Sequence, residues 1–122
     1  MKFKIWDTPI SKESLMYVDI EQIIHTPNFN LAATITSHEK KFKLNAAMVL
    51  VHEVGHEVNY LELWTVLNSQ IERDGRTTLE LLDSPWIKSH NFFEETRHFI
   101  VLSVDIVLHI ASETEPIIER IK

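Results

Sequence analysis

The strongest constraint on this chain is the alternation of apolar and polar side chains between residues 31 and 50. Leu31, Ala33 and Ile35 share one face of an extended chain, with Ala32, Thr34 and Thr36 on the other. Phe42, Leu44, Ala46, Met48 and Leu50 continue the pattern, with Lys41, Lys43 and Asn45 opposite. Side chains on a strand point to alternate faces, so a period of two marks a half-buried strand. Ser37-His38-Glu39 supplies a turn. The two runs are therefore expected to form a hairpin whose second strand is long.

Two further runs are dense in β-branched and aromatic residues. They are His98-Phe99-Ile100-Val101-Leu102-Ser103 and Ile106-Val107-Leu108-His109-Ile110-Ala111. Both suit buried strands, paired as a hairpin or joined as one bent strand. Turn signals at Thr26-Pro27-Asn28, Arg73-Asp74-Gly75-Arg76 and Asp83-Ser84-Pro85 punctuate the chain. Three helices are expected: one opened by Ser11-Lys12-Glu13-Ser14 and running through Leu15 to Val18, one from Ser84 to about Phe93, and a turn from Pro116 to Ile121. Ser84 is a good N-cap and Pro85 a good first helical residue. The expected fold is a β-rich α+β domain, with a single antiparallel sheet or half-barrel of about five to seven strands and two or three short helices. The chain has 122 residues and no internal repeat or linker composition, so residues 1–122 read as one domain.

Charge is uneven. The net of −6 divides into −1 over residues 1–61 and −5 over residues 62–122. An acidic half repels a phosphate backbone, which argues against nucleic acid as a partner. It attracts a basic protein surface and speeds the encounter. The candidate contact residues are the acidic ones around the turns of that half: Glu72, Asp74, Glu80, Asp83, Glu94 and Glu95. Trp6, Trp64 and Trp86 read as core or rim aromatics, or as anchors of a binding surface. No apolar run reaches the ~20 residues that span a bilayer, and no apolar segment follows the first residues. A cytoplasmic location without membrane contact is expected. The absence of cysteine excludes disulfides, thiolate zinc sites and a cysteine nucleophile.

One motif carries chemistry. His52-Glu53-Val54-Gly55-His56 has the letters of the HExxH pattern of zinc metallopeptidases. On a helix the two imidazoles would lie one turn apart and bind one zinc, with Glu53 as general base. Glu57, Glu62, Glu94, Glu95 or His98 would serve as third ligand. On a strand the two histidines would stand about 13 Å apart at ~3.3 Å per residue, too far to share an ion. Residues 46–64 support either periodicity, and Gly55 weakens the helix. Glu57 also sits where zincins normally have an uncharged residue. The primary expectation is therefore no cofactor, with zinc as the alternative. His98, Ser103 and Asp105 have the residue types of a hydrolase triad but lack a nucleophile elbow, and alternation puts Ser103 opposite His98. The pairs Glu94-Glu95 and Glu113/Glu115 read as solvated surface.

The C-terminal third, from Leu81-Leu82-Asp83-Ser84-Pro85-Trp86 through Arg97-His98-Phe99 and Val104-Asp105 to Glu115-Pro116, resembles small bacterial proteins encoded beside polymorphic or contact-dependent toxins. Phe42 to Val51 and Val58 to Trp64 extend the likeness. The resemblance implies a non-enzymatic, cytoplasmic immunity protein that neutralises a cognate toxin by direct binding. The rival reading is a small zinc-dependent metallohydrolase. Strands 98–111 could equally serve a homodimer interface.

Overall fold

The computed structural model describes residues 2–11, 17–56, 77–90, 95–104 and 106–121. These form nine strands and one short helix: β1 (Lys2–Ile5), β2 (Val18–His25), β3 (Leu31–Ser37), β4 (Lys40–Ala46), β5 (Val49–His56), β6 (Thr78–Leu82), α1 (Pro85–Ser89), β7 (Arg97–Leu102), β8 (Ile106–Ser112) and β9 (Ile117–Ile121). A five-stranded antiparallel sheet has the order β1-β6-β7-β8-β5. A four-stranded antiparallel sheet has the order β2-β3-β4-β9.

The alternation of residues 31–46 does what period two requires. Leu31, Ala33 and Ile35 on β3 and Phe42, Leu44 and Ala46 on β4 are all buried, while their neighbours are partly or fully exposed. They share one core with Phe99 and Val101 of β7 and Leu108 and Ile110 of β8, so the sheets pack face to face. Trp6 joins this core with its ring centroid 5.1 Å from that of Phe99. The other face of the five-stranded sheet carries a second apolar cluster of Leu79, Leu81, Ile100, Leu102 and Val107. That is why β7 and β8 read as continuous apolar runs: both of their faces are buried.

This architecture corrects the expected single sheet with two or three helices. The 42–50 run is not one strand. Met48 takes a left-handed backbone with φ of 55°, and the chain leaves one sheet after Ala46 to enter the other at Val49. Pro116 to Ile121 is not helical either. Ile118 pairs opposite Leu44 and is buried, while Ile117 and Ile121 stay exposed on the far side of the strand. Unpaired backbone on β4 outcompeted the local helix signal. The Ser84 helix forms with the expected cap, the Ser84 hydroxyl accepting from Ile87 N–H at 3.3 Å and Pro85 in the first position, but it ends at Ser89 with His90 as C-cap, short of the expected Phe93, which lies outside the described residues. The helix proposed from Ser11 falls mostly outside the described residues, and Val18 begins a strand.

The shared core sets a first prediction. Phe99 is fully buried among residues of both sheets. Phe99→Ala should lower unfolding free energy by about 3–5 kcal/mol, read from urea denaturation midpoints.

Candidate functional site

The HExxH letters lie on β5. Residues 49–56 are a strand, so the helical turn that the zinc reading needs is not present there. The backbones of His52 and His56 are therefore about 13 Å apart at ~3.3 Å per residue. Glu53 stands opposite His109 in the β5–β8 register and is exposed. Among the described residues no group of three or more histidine or carboxylate side chains could hold a metal. Glu57, Glu62 and Glu94, offered as third ligands, lie outside the described residues.

His52 instead meets His25 of β2, which belongs to the other sheet. Their Nδ1 atoms are 2.7 Å apart, and His25 Nε2 donates to the Val49 carbonyl at 3.1 Å. That donation places the proton of neutral His25 on Nε2. Its Nδ1 must then accept, and His52 Nδ1 donates. Burial lowers the pKa of His52, and the neighbouring His25 lowers it further.

This histidine bridge sits beside an apolar end of the sandwich. The 26–30 loop is closed by Thr26 N–H to Asn30 O at 2.8 Å and Phe29 N–H to Thr26 O at 3.1 Å. Val49 N–H donates to Phe29 O at 2.7 Å, tying that loop to the start of β5. Phe29 and Met48 both adopt left-handed backbone, with φ of 62° and 55°. Bulky side chains rarely do so, at a cost of roughly 1–2 kcal/mol each. Both are also about half exposed, at 53% and 49%. Next to them lies a groove of about 440 Å³ walled by Leu31, Ala32, Ala46, Ala47, Thr114 and Ile117. Both residues turn the chain, Phe29 in the 26–30 loop and Met48 between the two sheets, and in doing so they hold two large apolar side chains at the surface.

A polar network is buried on the opposite face of the five-stranded sheet. Ser84 Oγ is 2.7 Å from His98 Nδ1, and His98 Nε2 is 2.8 Å from His109 Nδ1. Ser84 Oγ also accepts from Ile87 N–H, so one hydroxyl joins the cap of α1 to the histidine pair. Trp86 of α1 covers both rings, with centroids at 4.7 and 5.8 Å. Burial and the neighbouring His109 push His98 down to about 3, and burial pushes His109 down to about 4. An imidazole that resists protonation this strongly is a weak general base. The network holds α1 against the sheet. Its sequence signal was slight: Ser84 read as a cap, and two histidines interrupted apolar runs.

The triad residues do not assemble. Ser103 Oγ donates to Ile106 O at 2.8 Å, and Asp105 lies outside the described residues. The acidic contact set also divides. Glu80 is buried and takes a two-pronged hydrogen bond from Arg97, Nε to Oε2 and Nη2 to Oε1, both 2.8 Å. A carboxylate engaged in this way is unavailable to a partner. Asp83 and Glu95 are on the surface, with Asp83 paired to Lys88. Glu72, Asp74 and Trp64 lie outside the described residues. No helix among the described residues is long and apolar enough to cross a membrane. Comparison with protein-family models, curated proteins and solved structures found no match to this chain.

The lowered histidine pKa values predict acid sensitivity. Above pH 6.5 the imidazoles are neutral in both states and contribute no pH dependence. Below it the unfolded chain takes protons that folded His98 and His109 refuse, so stability falls with pH down to their folded pKa values. Each group should remove about 1.4 kcal/mol per pH unit. Urea midpoints between pH 6.5 and 5, before most carboxylates titrate, should show that slope. A flat profile there would mean that the pair protonates freely in the folded state.

Proposed function

We propose that this chain is a non-enzymatic binding protein of immunity type, which neutralises a cognate bacterial toxin by docking on it. The observation that carries the reading is the pair Phe29 and Met48. Both are held exposed on left-handed backbone beside an apolar groove. Large apolar side chains that are pre-positioned in this way serve as anchors, because little further entropy is lost on binding. The net charge of −6 supports a basic partner surface, with charge setting the encounter rate and the anchors setting the residence time. The likeness of the C-terminal third to toxin-associated proteins supplies the kind of partner. The strand conformation of residues 49–56 favours this reading over a zinc hydrolase.

The test is calorimetric titration against the protein encoded by the adjacent gene, with wild type, Phe29→Ala and Met48→Gly. Each variant should bind about tenfold or more weakly, as anchor residues do. Met48→Gly should leave stability within about 1 kcal/mol of wild type, since glycine accepts positive φ without strain. Charge reversal at Asp83 and Glu95 should slow association and flatten its salt dependence. Wild-type affinity in both anchor variants would overturn the docking site. Absence of any complex would overturn the assignment of that partner.

A further inference from the structure

Two strand registers bring a pair of imidazoles to one open edge of the sandwich. His25 ends β2 opposite Leu31, and His52 lies on β5 opposite Ile110. Leu31 and Ile110 belong to the core between the sheets, and directly opposed residues share a face, so both histidines lie on the interlayer side. β2 and β5 are edge strands of their sheets, and both histidines are only half-buried, within reach of solvent. Glu53 stands opposite His109 and belongs to the other face.

Each ring presents Nδ1 to the other, and the two atoms are 2.7 Å apart. Two imidazole nitrogens bound to one ion at ~2.0–2.1 Å and set at a tetrahedral angle lie about 3.3 Å from each other. The pair therefore needs to part by only about 0.6 Å, which small side-chain rotations supply. His25 Nε2 donates to the Val49 carbonyl at 3.1 Å, the kind of outer bond that orients a ligating histidine and raises its basicity. That bond leaves His25 Nδ1 without a proton and aimed at His52. Burial and the neighbouring His25 lower the His52 pKa, so its ring is neutral at pH 7. A neutral imidazole carries its one proton on either nitrogen, and His52 frees Nδ1 by moving that proton to Nε2 through solvent.

We infer that His25 and His52 form a binding site for a divalent transition metal ion, held between the Nδ1 atoms of the two rings. Imidazole suits zinc, copper and nickel, whereas magnesium and calcium take oxygen ligands. Among the described residues no third histidine or carboxylate joins the pair, so the remaining positions fall to water. The ion replaces one hydrogen bond between neutral rings with two metal–nitrogen bonds, and it clamps the edge of one sheet to the edge of the other. The ligands include neither Phe29 nor Met48, so this site does not depend on the docking surface proposed above.

The test is calorimetric titration of the whole chain with Zn²⁺, with Mg²⁺ as the comparison ion. Wild type should take up one zinc saturably and melt at a higher temperature with it, and Mg²⁺ should do neither. His25→Gln and His52→Gln should each bind zinc about tenfold or more weakly, at least the loss that follows removal of an outer-shell partner. His38→Asn, a change at the left-handed turn between β3 and β4, should bind like wild type. Imidazole nitrogen NMR shifts of the wild-type chain give a reading independent of how the variants fold. Zinc should move Nδ1 of both histidines and leave Nε2 of His25 protonated. Undiminished zinc affinity in either Gln variant, shifts centred on the Nε2 atoms, unsaturable uptake, or an equal response to Mg²⁺ would each overturn the site.

Discussion

The Ala47 carbonyl is the point on which the architecture turns. Ser112 Oγ lies 2.8 Å from it and Thr114 Oγ1 3.2 Å from it. Ala47 belongs to the crossing from β4 to β5, and Ser112 and Thr114 to the crossing from β8 to β9. One acceptor therefore fastens two places where the chain changes sheet. Each bond is worth only about 1 kcal/mol net. Their value is geometric, because they hold the two crossings side by side where β5 meets β8 and β9 meets β4. Left-handed Met48 completes the corner by turning the chain sharply between two strands that would otherwise run on as one.

The groove and the exposed Phe29 and Met48 arise at this corner for the same reason. A sandwich buries its alternating faces and leaves irregular backbone at its ends, where loops escape the packing rules. Phe29 and Met48 project from such loops, while the hydrogen bond from Val49 to Phe29 and the His25–His52 contact hold those loops to both sheets. The surface is thus adaptable in sequence and firm in position. The buried network of Ser84, His98 and His109 has the opposite character: it runs through the interior from the cap of α1 to β8, and its surroundings keep the imidazoles neutral.

Strands with one buried face were legible in the sequence. Residues 31–46 alternate cleanly because one side meets the core and the other meets water, and the hairpin through 37–39 formed in that register. The runs at 98–102 and 106–111 were visible as strands because both faces are apolar. Sheet assignment was not legible. Nothing in the letters 42–50 tells that Met48 turns left-handed, since methionine carries no turn signal. Pro116 pointed to a helix, and only the open edge of β4 made residues 117–121 a strand. Among site residues, Glu80 looked like surface because its partner Arg97 is 17 positions away. The exposure of Phe29 and Met48 was not legible, because a strained corner is a property of the tertiary path.

The pairing of β1 with β6 has a consequence in time. β1 lies at the edge of its sheet and pairs with β6, with Thr78 Oγ1 donating to the Trp6 carbonyl across 72 positions of chain. Neighbouring strands such as β3 and β4, or β7 and β8, close loops of a few residues and can form early. Closing the long loop gains no contacts until β6 is itself in place on β7. β4 and β9 close a loop just as long, so by loop closure the rims of both sheets form after the hairpins at their centres, and the arrival of Trp6 beside Phe99 dries one flank of the interlayer.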